Sequence, residues 1–111
     1  MLQTMNENRD FKRVYTRGKS FPGPALVTYV LRNRLGVSRV GITASKKIGK
    51  AVQRNRAKRV IREAFRQLGP EIGSNGGYDF VFVARTKTTK VKMREVLEQM
   101  HRHLKAGGVL K

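Results

Sequence analysis

Apolar positions recur at two spacings along the chain, and the changes between them mark out its elements. Phe11, Val14 and Tyr15 stand at i, i+3 and i+4. That spacing predicts a helix over residues 6–17, with Asn6 or Asn8 as its cap and Gly18 as its stop. Pro22, Gly23 and Pro24 then interrupt regular structure, with room for a short extra strand near Ser20. Over residues 25–31 the period drops to two. Val27, Tyr29 and Leu31 face one way, and Leu26, Thr28 and Val30 the other. A polar turn at 32–38 leads to a strand over 39–45. Here Val40, Ile42 and Ala44 make an apolar face, while Gly41, Thr43 and Ser45 make a small, polar one. The two strands read as an antiparallel hairpin.

Helical spacing returns over 51–68, where Gly69-Pro70 is expected to end it, and residues 73–77 read as a loop. The run YDFVFVA at 78–84 has the aromatic and β-branched content of a buried strand. Thr88 or Thr89 is placed to cap a last helix reaching about residue 105, with Met93, Val96, Leu97, Met100 and Leu104 as its core face. The order is α-β-β-α-β-α, an α+β two-layer sandwich. No repeat or linker divides the chain. It reads as one domain over 1–111, with residues 1–5 and 106–111 frayed.

Charge changes the picture. Lys and Arg number 25 against 7 Asp and Glu, a formal net charge of +18. A compact domain with that imbalance repels itself, so a polyanion is the expected partner: nucleic acid first, an anionic membrane second. Without cysteine there are no disulfides, thiolate metal sites or thiol nucleophiles. No run approaches the roughly 18 apolar residues of a membrane span. The first residues lack the apolar stretch of a secretory signal, so a cytoplasmic protein is expected.

The cations are densest in SKKIGKAVQRNRAKRVIREAF, residues 45–65. On a helical wheel Ala57, Val60, Ile61, Ala64, Phe65 and Leu68 gather on one side. Arg54, Lys58, Arg62 and Arg66 form an i+4 row on the flank and outer face, Asn55 and Arg59 a second, and Arg56 borders the polar face. Glu63 is the only acid there, within reach of Arg59 and Arg66. A solvated helix usually interleaves both signs; cations alone suit phosphates, which the arginine fork grips two oxygens at a time. Asn55 can donate and accept, as a base edge or a 2′-hydroxyl requires. The preceding turn adds Lys46, Lys47 and Lys50 beside the free N–H groups of the helix start.

Phe11, Tyr15 and Tyr29 suggest a second feature. If the first helix covers part of the sheet face carrying Val27, Tyr29, Gly41 and Thr43, a groove with aromatic walls remains, as single-stranded RNA requires. Phe11 and Tyr15 serve equally well as that helix's core face. Chemistry is not evident. The seven acids form no two-metal cluster, and His101 and His103, two apart on a helix, cannot share a metal and read as surface residues. Three classes stay open on these grounds: the RNA-binding subunit of a ribonucleoprotein enzyme, a structural RNA-binding protein such as a ribosomal one, and a membrane-active cationic protein.

The run SKKIGKAVQRNRAKRVIREAFR resembles the signature of the bacterial ribonuclease P protein component. NRDFKRVYTRGKS upstream, RVGITASKK entering the signature and YDFVFVAR downstream extend the resemblance from about Asn6 to Leu104. It implies a protein with no catalytic residue or cofactor of its own, acting beside a catalytic RNA that uses Mg²⁺ to remove the 5′ leader of precursor tRNA. It implies a monomer in a 1:1 complex with that RNA, and no membrane partner. Lys46, Lys47, Lys50, Arg54, Asn55, Arg56, Lys58, Arg59 and Arg62 would face the catalytic RNA; Phe11, Tyr15, Val27, Tyr29 and Thr43 would line a leader cleft. It also implies a central mixed sheet with three helices and a left-handed β-α-β crossover, against the usual hand. Only five residues, none charged, precede Asn6, where many members carry a longer basic arm.

Overall fold

The computed structural model describes residues 2–72 and 77–110. The elements run β1 (Leu2–Thr4), α1 (Asn8–Arg17), β2 (Lys19–Pro22), β3 (Leu26–Arg32), β4 (Ser38–Thr43), a 3₁₀ turn (Lys46–Ile48), α2 (Ala51–Ile72), β5 (Tyr78–Ala84), a second 3₁₀ turn (Thr86–Thr89) and α3 (Met93–Ala106). One five-stranded mixed sheet has the order β1-β4-β5-β3-β2. β5 is the most apolar strand, and Phe80, Val81 and Phe82 are fully buried. A strand apolar on both faces is best satisfied at the centre, so β5 lies parallel to β4 and antiparallel to β3.

This placement corrects the expected hairpin: β5 inserts between β3 and β4, which therefore do not pair. The parallel neighbours β4 and β5 are joined through α2. α2 and α3 cover one face, burying Leu26, Val30, Ile61, Phe65, Phe80, Phe82, Met100 and Leu104 in one cluster. The ring of Phe65 lies 5.5 Å and 5.3 Å from those of Phe80 and Phe82. α1 packs on the other face through Val14, against Val81 and Met5. The sandwich thus has a partial third layer, which leaves part of that sheet face uncovered.

Several element ends differ from expectation. α1 is preceded by Glu7, whose side chain makes no cap hydrogen bond, rather than by an asparagine cap. α2 runs past Gly69-Pro70 to Ile72. Pro70 sits in the last turn, and the i+4 step from Leu68 carries Ile72 into the core, which offsets the hydrogen bond that proline cannot donate. Part of the expected 73–77 loop lies outside the described residues. Neither Thr88 nor Thr89 caps α3, which starts after Lys92. Thr88 is buried instead, its hydroxyl donating to the Ala25 carbonyl (2.6 Å) and accepting from the Arg85 amide (2.9 Å). The short strand near Ser20 is present as β2. Residues expected to fray are packed: β1 pairs with β4, Met5 is buried, and Val109 and Leu110 close the far end of the core.

Candidate nucleic-acid interface

The basic segment is built by local hydrogen bonds and one apolar stripe. The Ser45 hydroxyl accepts from the Lys47 amide (3.3 Å) and opens the 3₁₀ turn. Gly49 ends it at φ +140°, a conformation that side chains disfavour. The Arg54 guanidinium then donates back to the Gly49 carbonyl (2.9 Å), fixing the turn against α2. Ala57, Ile61, Ala64, Phe65 and Leu68 are buried, so the opposite side of α2 must face outward. Lys46, Lys47, Lys50, Asn55, Arg56, Arg59 and Arg62 are exposed; Arg54 and Lys58 are half-buried.

Acids do not neutralise this surface. Glu63 is held by Arg66 (3.0 and 2.5 Å) and not by Arg59. The hydrogen bond from Arg66 draws the Glu63 carboxyl below its usual range. Glu7 pairs with Arg9, Glu98 with Arg94, and Asp10 and Asp79 with Arg13 and Arg39. Among the described residues, none of the eight cations Lys46, Lys47, Lys50, Arg54, Arg56, Lys58, Arg59 and Arg62 has a carboxylate partner.

Across the sheet, the five expected cleft residues converge. Val27 pairs with Val83, which pairs with Thr43; one step along, Tyr29 pairs with Val81, which pairs with Gly41. All share the α1 face. The ring of Tyr15 meets that of Tyr29 edge-on at 4.9 Å, and its hydroxyl lies 3.5 Å from the Thr43 hydroxyl. The two readings of the first helix divide between its aromatics. Phe11 is half-buried, packed against Met5, Val14 and Val81 directly over Gly41. Tyr15 stays 41% exposed at the mouth. The ring of Phe11 lies 6.5 Å from that of Tyr15 and backs it.

Sequence reasoning missed the ion cluster that holds α1 to the sheet. The Asp79 side chain, 1% exposed, takes both arms of Arg39 (2.9 and 2.8 Å), and Asn33 donates to it at 2.8 Å. Arg39 reaches on to Asp10 of α1 (3.3 Å), which also accepts from Arg13 (2.6 Å). Burial would raise the Asp79 carboxyl, but the hydrogen bonds from Arg39 and Asn33 outweigh it and draw it below its usual range. The hydrogen bond with Asp79 likewise raises Arg39. The only sequence signal was an acid inside an apolar strand. His103 also departs from expectation: it is buried, 2.8 Å from the Thr28 hydroxyl and stacked on Phe21. Burial, with a smaller contribution from Arg102, lowers its pKa.

An unneutralised cation surface on one helix, with an aromatic cleft across the sheet, is the construction of a polyanion-binding α+β protein. Comparison with known proteins sharpens that class. The Ribonuclease P family profile matches residues 2–107. The chain is 41% identical over 107 residues to the ribonuclease P protein component of Clostridium kluyveri, covering 96% of each. It is 38% identical over 105 residues to that of Clostridium botulinum strain Loch Maree, covering 95% of this chain and 94% of the other. The solved RNase P protein of Staphylococcus aureus superposes with a TM-score of 0.83 at 31% identity, over 97% of both chains. That of Thermotoga maritima gives 0.80 at 31%, over 94% and 96%. The chain belongs to the ribonuclease P protein component family, whose role is in tRNA 5′ processing as part of a ribonucleoprotein endonuclease. Among the described residues, no helix is long and apolar enough to cross a membrane.

Proposed function

We propose that this chain is the RNA-binding subunit of ribonuclease P, gripping the catalytic RNA with its basic turn and α2 and the 5′ leader of precursor tRNA in the aromatic cleft. The observation that carries the reading is a set of cations on the turn and α2 without carboxylate partners among the described residues, together with an aromatic cleft on the α1 face of the sheet, the two meeting where Phe11 lies beside Lys58 and Arg62. Lys46, Lys47, Lys50, Arg54, Asn55, Arg56, Lys58, Arg59 and Arg62 lie on the turn and α2, and the Tyr15–Tyr29–Thr43 cleft lies on the α1 face. One protein can therefore hold two RNA segments at once. Each cation set against a phosphate releases counterions, which makes binding sequence-tolerant and salt-dependent. Arg54 is pre-positioned by its bond to Gly49, so less side-chain freedom is lost on binding.

In the cleft, Tyr29 and Tyr15 offer ring faces and edges to unpaired bases, Val27 adds an apolar wall, and Thr43 offers a hydroxyl to a sugar or base edge. Mg²⁺ belongs to the RNA partner, where it supplies the hydrolytic chemistry. This chain's contribution is to raise the local concentration of the leader beside that RNA and to screen the repulsion between two polyanions. It acts as a monomer in a 1:1 complex, in the cytoplasm. Reconstitution tests the proposal. RNA-free protein is expected to cleave nothing, and addition of the catalytic RNA to restore leader removal at low Mg²⁺. Cleavage by RNA-free protein, or a catalytic RNA indifferent to the protein, contradicts it.

A further inference from the structure

A second set of cations lies outside both surfaces. On α1, Asp10, Arg13 and Arg17 follow each other at i, i+3 and i+7, on the flank away from Phe11 and Tyr15. They meet the end of β3 and the turn after it, and together enclose a concavity of about 500 Å³ that holds Arg13, Arg17, Arg32, Arg34 and Arg39. It sits where Arg39 pairs with Asp79, the start of β4, whereas the basic turn follows that strand's other end. Five arginines stand against two acids here. The acids, Asp10 and Asp79, are occupied by Arg13 and Arg39. Arg17, Arg32 and Arg34 are exposed, and among the described residues they have no carboxylate partner. Arg17 and Arg32 also line the adjoining groove beside Lys19, so the unpaired charge forms a track rather than a point.

The buried ion cluster gives this track a rigid floor. Arg39 and Asp79 cannot turn outward without leaving the buried Asp79 carboxylate unpaired. Incoming anions therefore meet the three free guanidiniums and not the acids beneath. Planar, exposed guanidiniums in a row suit the spaced phosphates of a nucleic-acid strand. We infer that this concavity is a further RNA-backbone site, contacting phosphates with Arg17, Arg32 and Arg34 at the end of the sheet remote from the basic turn. The inference rests on the RNA-subunit reading above.

The test replaces Arg17, Arg32 and Arg34 together by Gln in the full chain, with a matching triple Lys variant that keeps the charge. Salt dependence of binding is measured in two arms: to the catalytic RNA, and of the assembled holoenzyme to precursor tRNA. In one arm the slope of log affinity against log salt is expected to become shallower by about 2 for the Gln variant, with the Lys variant close to wild type. The arm that changes identifies whether the phosphates belong to catalytic RNA or precursor. Unchanged slopes in both arms overturn the inference, as does a Lys variant that loses as much as the Gln one. Arg59→Ala, measured alongside, separates the two failures. If it flattens the slope while the triple Gln variant does not, the subunit reading stands and only this site falls.

Discussion

Gly41→Ala is the sharpest probe of how the core sets the cleft. A Cβ at this position would lie 2.5 Å from both Cε1 and Cζ of Phe11. Ordinary carbon contacts are about 3.5–4.0 Å, so the ring has to retreat by about 1 Å. Met5, Val14 and Val81 pack against the ring and the Arg39–Asp10 pair ties α1 to the sheet, so it can retreat only toward the groove it shares with Ile42 and Lys58. Overpacking of this kind costs about 1–3 kcal/mol, and each kcal/mol lowers Tm by about 4–8 °C in a domain near this size. The displacement passes to Tyr15, one turn on, whose edge contact with Tyr29 at 4.9 Å defines the cleft mouth. The assay is thermal unfolding, together with the affinity of reconstituted holoenzyme for precursor against mature tRNA. The stability loss above is expected. Loss of part of a stacking contact should reduce leader discrimination by about 3- to 10-fold, with binding to the catalytic RNA unchanged. Trimming the ring in Phe11→Leu/Gly41→Ala should recover part of the stability, a coupling the two single variants would not show additively. A Gly41→Ala protein with wild-type stability and full leader discrimination refutes the link between Phe11 packing and the cleft.

Three other outcomes follow from the same geometry. Tyr29→Ala should cost about 1–3 kcal/mol on leader-containing substrate and nothing on mature tRNA; an equal loss on both removes Tyr29 from leader recognition. Asp79→Asn should cost about 1–3 kcal/mol at neutral pH, because it removes the main partner of half-buried Arg39, which keeps Asp10. The folded Asp79 carboxyl titrates below its unfolded value. Its contribution is therefore present above the unfolded pKa and is lost as pH falls through the folded one. Denaturant midpoints of variant and wild type should converge in acid, and a gap that persists there counts against the ion pair. His103 behaves as a buried neutral imidazole with a lowered pKa, so the unfolded chain protonates first. Stability should fall as pH drops from about 6.5 toward the folded value, and His103→Gln should flatten that stretch of the profile; parallel profiles contradict the assignment.

The sequence made element type legible wherever periodicity was strong. β5 was read to the residue, and the stripe on α2 and the core face of α3 were recovered because burial on one side leaves an apolar period of 3.6. Strand pairing was not legible. Adjacent strands usually pair, yet here the more apolar β5 takes the place between them. The helix boundary at Gly69-Pro70 was misread because a tertiary contact, Ile72 in the core, outweighs a local breaker. Within the site, the cation surface and the aromatic residues could be named from spacing alone. The Asp10–Arg39–Asp79 cluster could not, because its members are distant in sequence and meet only through the sheet register and α1 docking. Spacing likewise makes Thr88 a helix cap and His103 a surface residue, since nothing local reveals that their partners are Ala25 and Thr28.

The account depends most on bare positive charge along α2 meeting RNA phosphates. Binding of the catalytic RNA by wild-type protein and by Arg59→Ala, titrated across a series of salt concentrations, measures this directly. The variant should bind more weakly, with a log–log slope shallower by roughly 0.7 to 0.9 for the one contact removed. An identical slope, with affinity lost or kept, would mean that Arg59 does not face a phosphate and that the cation surface of α2 serves some other end.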